Sequence, residues 1–121
     1  MKFENLKIIQ PILKALALKN YSSPTPIQLK AIPLVLKKQD VLGCAQTGTG
    51  KTAAFAIPII QNLYAEKNNN HKVLIKSLIV TPTRELAIQI ADSFTDYGKF
   101  TGIRNTVVFG GVKQGSQVSA L

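Results

Sequence analysis

A glycine-rich loop between an apolar segment and a helix-like segment constrains the fold of this chain most strongly. Residues 45–52 read Ala-Gln-Thr-Gly-Thr-Gly-Lys-Thr, after the apolar segment 40–44 and before the helix-like run 52–57. Glycines let the main chain approach an anion closely, and a helix N-terminus offers unpaired N–H groups to the same anion. The arrangement predicts a phosphate-binding loop that joins a strand to a helix. The alternative is a Gly/Thr-rich turn beside an exposed lysine.

The side chains of this loop have separate expected roles. Lys51 supplies a mobile positive charge for the β- and γ-phosphates, and the Thr52 hydroxyl is placed to bind a bridging Mg²⁺. These two are the candidate catalytic residues, and Thr52 is the candidate metal ligand. The residues expected to contact the nucleotide in this loop are Gln46, Thr47, Gly48, Thr49, Gly50, Lys51 and Thr52.

Composition bounds the class of protein. The chain has 121 residues, 45% of them hydrophobic, which suits one globular domain with a core. A net charge of +9 favours polyanionic partners, although charge alone barely favours nucleic acid. The single cysteine, Cys44, is expected to be a buried strand thiol in a reducing, cytoplasmic setting. The sequence has no apolar run of signal-peptide or membrane-helix length, so secretion and membrane insertion are not expected.

The order of helical and strand-like patterns predicts an α/β fold. Helices are expected over about 8–19, 26–38, 52–66, 84–100 and from 113 onward, and strands over 40–44, 74–81 and 103–109. Thr25 and Thr83 are the expected N-caps. The inward stripe of the fourth helix is Leu86, Ile90, Phe94 and Tyr97. This alternation predicts a doubly wound parallel sheet with helices on both faces, whose strand-end loops 45–51, 81–84 and 110–112 share one rim.

Four segments, in order and spacing, resemble one family. They are Phe3 with the run 21–28 (Tyr-Ser-Ser-Pro-Thr-Pro-Ile-Gln), the loop 45–52, the run 82–87 (Pro-Thr-Arg-Glu-Leu-Ala) and Gly110-Gly111. Together they resemble the amino-terminal part of the first RecA-like domain of DEAD-box ATP-dependent RNA helicases of bacterial type. In that family they correspond to the Q motif, Walker A, motif Ia and the double glycine. The resemblance implies a RecA-like P-loop NTPase fold, a parallel sheet flanked by helices, incomplete in this chain.

The resemblance assigns ATP and Mg²⁺ as cofactors and places three residues around the adenine. Gln28 lies at the glutamine that reads adenine, and its amide offers the required donor and acceptor. Tyr21 and Phe3 occupy the family's aromatic positions near the base; the alternative for both is ordinary core packing. Asn20 stands where the family usually has glycine.

The resemblance also implies RNA as a partner, held through its backbone without sequence preference. Pro82, Thr83 and Arg84 match the segment that contacts RNA phosphates, and Gly110 and Gly111 match the double glycine that admits the strand. The alternatives are a surface ion pair of Arg84 with Glu85 or Asp96, and a simple turn at the glycines.

The remainder of the first domain and the whole second domain are expected to be absent from residues 1–121. No Asp-Glu-Ala-Asp run follows the phosphate loop, so the fragment alone is expected to bind nucleotide weakly and not to unwind RNA. Central strand edges left open favour self-association. Two other functions stay open: a noncatalytic nucleic-acid-binding module, and a P-loop nucleotide-binding protein unrelated to RNA.

Overall fold

The structure is a computed structural model that describes residues 1–67, 74–110 and 114–121. A short 3-10 helix at Phe3–Leu6 opens the chain. The α-helices that follow are α1 (Gln10–Leu18), α2 (Pro26–Leu36), α3 (Lys51–Lys67), α4 (Arg84–Tyr97) and α5 (Gln114–Ala120). None of the helices in these ranges is long and apolar enough to cross a membrane.

Capping residues set the starts of two helices where the sequence predicted them. Thr25 is the N-cap of α2 and Pro26 is its first residue, a position that tolerates the missing N–H of proline. Thr83 caps α4, because its Oγ1 accepts the Leu86 N–H at 3.2 Å. The interior prolines of α2 and α3 do not end those helices: α2 continues from Pro33 to Leu36.

The core lies between the helices. Helix α3 packs against α2 and α4, and α1 contacts α4. The inward stripe predicted for α4 is confirmed, since Ile90, Phe94 and Tyr97 are buried and Leu86 packs against the core. The core residues are Phe3, Leu6, Ile8, Ile12, Leu16, Ile32, Ala53, Ala56, Ile57, Ile60, Ile90, Phe94 and Tyr97.

The predicted parallel sheet is not present in the described residues. Segments 40–44, 74–81 and 103–109 were expected to be strands, and none of them is assigned as one. Segments 40–44 and 74–81 also lie largely open to solvent: Leu42 is 94% exposed and Leu78 is 84% exposed. A strand exists only with a neighbour that completes its hydrogen bonds, and these three segments form no such ladder with one another.

The expected burial of Cys44 is also wrong, since this residue is exposed with a free thiol. The prediction depended on segment 40–44 being a strand covered on both faces. Without that sheet, nothing in the described ranges covers the side chain, so its apolar neighbours in sequence do not become neighbours in a core.

Candidate functional site

The loop 45–52 has the backbone geometry that its glycines predict. Gly48 and Gly50 both have φ of +83°, the left-handed region in which a Cβ is strained. The Thr49 hydroxyl donates to the Gln46 carbonyl at 2.6 Å, which fixes the turn. The Gly50 carbonyl accepts the Ala54 N–H at 3.2 Å and so opens α3. The loop therefore leads directly into a helix N-terminus.

Lys51 and Thr52 are the first two residues of α3, a helix of 17 residues. The Lys51 side chain is exposed and Thr52 is half-buried. The first turn of a helix has N–H groups without intrahelical partners and the positive end of the dipole, both of which attract an anion. The described ranges hold no cluster of three His, Cys, Asp or Glu side chains. The Thr52 hydroxyl offers an oxygen ligand of the kind that Mg²⁺ takes, so this residue would fit the ion.

Gln28 links helix α2 to the phosphate loop. It is only 5% exposed, its Oε1 accepts the Thr25 N–H at 3.0 Å, and its Nε2 donates to the Gly50 carbonyl at 3.1 Å. A Cβ on Gly50 would overlap this same Nε2, so the two groups fit closely. An amide group has two N–H donors and two lone pairs, so one N–H and one lone pair remain for another molecule. Sequence reasoning identified Gln28 but not its contact with the loop.

The two aromatic candidates have different surroundings. Phe3 is 3% exposed and belongs to the core, as its packing alternative anticipated, whereas Tyr21 is 46% exposed. Both line an open cavity of about 500 Å³, together with Lys2, Asn20 and Ser22 among others. Neither Gln28 nor the loop 45–52 lines it. Asn20 has φ of +58°, a conformation that asparagine tolerates better than most residues, which accounts for its presence at a glycine position.

A cluster of charged and aromatic side chains surrounds Tyr21, and sequence reasoning missed it. Lys19 Nζ lies 2.8 Å from Asp96 Oδ2, 5.8 Å from the centroid of the Tyr21 ring and 5.4 Å from that of Tyr97. The two tyrosine rings are tilted by 43°, with centroids 6.5 Å apart. The hydrogen bond to Asp96 raises the pKa of Lys19, and burial raises the pKa of Tyr97. The only signal in the sequence was the place of Tyr97 on the inward stripe of α4.

Two of the predicted RNA-binding segments meet in the structure. The Arg84 guanidinium lies 5.5 Å from the centroid of the Phe109 ring, which places the start of α4 beside Gly110. A Cβ on Gly110 would meet no atom of the described residues within 4 Å, and Gly110 is exposed. Pro82 and Thr83 are exposed.

The remaining expectations for this region have mixed outcomes. Asp96, a suggested partner of Arg84, pairs with Lys19 instead. Gly111 lies outside the described residues. Sequence reasoning missed Phe109, although an aromatic residue directly before the glycines was a visible signal.

Comparison with known proteins gives the family. The DEAD/DEAH box helicase model matches residues 25–121. The chain belongs to this family. The matched range contains every candidate residue except Phe3 and Tyr21.

Individual relatives agree with the family. The chain is 50% identical over 109 residues to the DEAD-box ATP-dependent RNA helicase RhpA of Helicobacter pylori, covering 90% of this chain and 21% of that protein. It is 46% identical over 121 residues to the ATP-dependent RNA helicase CshA of Limosilactobacillus reuteri, covering all of this chain and 23% of CshA. The chain therefore spans less than a quarter of the length of these relatives.

Solved structures match the backbone as well. A DEAD box protein from the hyperthermophile Methanococcus jannaschii has a TM-score of 0.83 at 39% identity, over 100% of this chain and 32% of that one. The RNA helicase Prp28 from Chaetomium thermophilum bound to ADP has a TM-score of 0.83 at 34% identity, over 98% of this chain and 29% of that one. The fold is thus that of DEAD-box proteins, although no sheet is formed within the described residues.

Proposed function

We propose that the intact protein is an ATP-dependent RNA helicase, and that residues 1–121 are the amino-terminal portion of its first RecA-like domain and hold its ATP. The observation that carries the proposal is the hydrogen bond from Gln28 Nε2 to the Gly50 carbonyl, at 3.1 Å. It connects a residue suited to recognise a purine with the loop suited to hold phosphates. The helicase names of RhpA and CshA, and the ADP bound to Prp28, support the same function.

In the proposed ATP site, different residues bind the phosphates and the adenine. Backbone N–H groups from Gln46 to Gly50 and the start of α3 hold the phosphates, while Lys51 neutralises the β- and γ-phosphates. The Thr52 hydroxyl would hold Mg²⁺, which would supply positive charge against the phosphates. The remaining N–H and lone pair of Gln28 would pair with N7 and the N6 amino group of adenine, whereas guanine presents two acceptors, N7 and O6, on the same edge.

RNA is the proposed second partner, bound through its sugar–phosphate backbone. Pro82, Thr83 and Arg84 at the start of α4, with Gly110 and Gly111, form the proposed contact. The stacking of Arg84 on Phe109 supports the grouping, because it holds a guanidinium beside the open backbone at Gly110. Phosphate contacts of this kind fix the position of a strand without reading its sequence.

Nucleotide turnover tests the proposal in the intact protein. We expect Lys51→Ala to reduce RNA-stimulated ATP hydrolysis at least about 100-fold, because it removes charge stabilisation at the transferred phosphoryl group. We expect Gln28→Ala to retain turnover while narrowing the preference for ATP over GTP. Lys38→Ala is the matched control, since Lys38 pairs with Glu66 on the surface. Equal turnover of ATP and GTP by the unsubstituted protein would refute the adenine assignment.

The two alternatives predict different results. A noncatalytic nucleic-acid-binding module would bind RNA with a steep salt dependence that Lys51→Ala leaves unchanged, and would hydrolyse no ATP. A P-loop protein unrelated to RNA would bind ADP with an affinity that added RNA does not change. Neither alternative explains why the chain has both the hydrogen bond between Gln28 and Gly50 and the contact of Arg84 with the Phe109 ring.

We also propose that the 121-residue chain, isolated, associates with itself in the cytoplasm or in dilute buffer. Its support is the exposure of apolar side chains along segments 40–44 and 74–80, where Leu42, Leu78 and Val80 are more than four-fifths exposed. Sedimentation at increasing protein concentration should show species larger than 13.1 kDa. A compact monomer at every concentration would contradict this part of the proposal.

A further inference from the structure

One side of Tyr21 packs against other residues, while part of its ring is exposed to solvent. Its backbone N–H donates to the Leu16 carbonyl at 2.9 Å, which fixes the residue against the end of α1. Its ring lies against Tyr97, which is itself 5% exposed and therefore rigidly packed. Lys19 lies within 6 Å of both rings, in the range in which an ammonium group is attracted to an aromatic face.

Lys19 is in turn fixed by a carboxylate from a different helix. Asp96 is on α4, 77 positions away in sequence, and its Oδ2 accepts a hydrogen bond from Lys19 Nζ at 2.8 Å. A lysine side chain has many rotamers, and an ion pair restricts them. Asp96 therefore holds the ammonium group where it can contact both tyrosines.

We propose that Lys19, Asp96 and Tyr97 are positioning residues that hold the Tyr21 ring for stacking on the base of the bound nucleotide. The inference rests on the proposed function and on the resemblance, which implies that Tyr21 lies near that base. A ring that is ordered before binding loses less conformational entropy on binding, so preorganisation increases affinity. The Tyr21 side chain is 46% exposed, so part of its ring is accessible to a planar base. None of the three positioning residues needs to touch the nucleotide.

Binding measurements on the intact protein test this role, with ADP and inorganic tripolyphosphate as probes. We expect Lys19→Met to weaken ADP binding about 3- to 10-fold and to leave tripolyphosphate binding unchanged, because only the base contact is affected. We expect Asp96→Asn to weaken ADP binding about 2- to 5-fold.

A double-substitution cycle separates positioning from a general structural effect. In a Tyr21→Ala background, Lys19→Met should have no further effect on ADP affinity, since Lys19 acts through the Tyr21 ring. Lys38→Met is the matched control: it breaks the pair with Glu66 at 3.4 Å and should change neither probe. Additive effects of Lys19→Met and Tyr21→Ala would overturn the proposal, and so would a loss of tripolyphosphate binding in Lys19→Met, which would indicate a direct phosphate contact.

The same measurements distinguish the failure of this inference from that of the proposed function. If Tyr21→Ala weakens ADP binding and Lys19→Met does not, the positioning role is wrong and the nucleotide site stands. If Lys51→Ala leaves both ADP and tripolyphosphate binding unchanged, the proposed nucleotide site itself is wrong.

Discussion

Helices α1 to α4 and the three segments expected to be strands differ in the burial of their apolar side chains, although they alternate along one chain. Helices α1 to α4 bury a continuous core in which Ile12, Ile32, Ile57 and Ile60 have no exposed surface. Segment 74–80 is equally apolar in sequence, yet Leu78 and Val80 are more than 80% exposed. A helix completes its backbone hydrogen bonds within itself, whereas a strand depends on a neighbour. The apolar side chains of segment 74–80 therefore stay outside the core.

The largest expected difference in the free energy of unfolding is between a substitution in the core and one in an exposed segment. We expect Ile57→Ala to lower the free energy of unfolding by about 2–5 kcal/mol, because it leaves a cavity at the centre of α3. Leu78→Ala should change the same free energy by less than about 0.5 kcal/mol, since its side chain is already in water. Chemical denaturation monitored by circular dichroism measures both. Equal losses would mean that segment 74–80 belongs to the core after all.

The junction between the two regions is the phosphate loop, and glycine substitution there should have the next largest effect. We expect Gly50→Ala to cost about 2–4 kcal/mol, from its positive φ and from overlap with Gln28 Nε2. Gly48→Ala is the matched control, with the same φ of +83° but no atom within 4 Å of the added Cβ. It should cost less, about 1–2 kcal/mol. Indistinguishable costs would show that the contact between Gln28 and the loop is not close.

The ion pair between α1 and α4 gives the smallest expected effect and a pH dependence. The Asp96 hydrogen bond raises the pKa of Lys19 above 10.5, and burial raises the pKa of Tyr97 above 10.0. A raised pKa means that the folded state holds the proton more tightly, so this stability is complete below about pH 10 and is lost as the pH rises through the folded pKa values. Asp96→Asn should cost about 0.2–1 kcal/mol at pH 8.

The difference between Asp96→Asn and the unsubstituted protein should shrink toward zero at higher pH, as Lys19 loses its charge. Thermal unfolding at several pH values measures this difference. Glu66→Gln, which breaks the surface pair with Lys38, is the control for a general effect of charge. A difference that grows above pH 10 would contradict the assignment to Lys19.

Local signals predicted the helices and part of the candidate site. Residues three or four positions apart determine the caps at Thr25 and Thr83 and the inward stripe on α4. This is the range over which helical contacts form. The positive φ of Gly48 and Gly50 likewise follows from the loop sequence itself. These features needed no knowledge of distant parts of the chain.

Contacts between distant residues were not predictable in the same way. Gln28 and Gly50 are 22 positions apart, and Lys19 and Asp96 are 77 apart, so no local period relates them. The three segments expected to be strands are not assigned as strands, for a related reason. Periodicity identified apolar segments, but whether each one has a neighbour on both sides is a property of the whole sheet.

Because the chain has exposed apolar segments and a net charge of +9, a change of ionic strength should have two opposite effects on its associations. Positive charges keep separate copies of the chain apart at low salt, and they attract a polyanion over a similar range. Added salt screens both interactions, and at 0.1 M it largely removes them beyond about 10 Å. Raising it should release bound nucleic acid and, in the same solution, allow the uncovered leucines and valines of neighbouring molecules to meet.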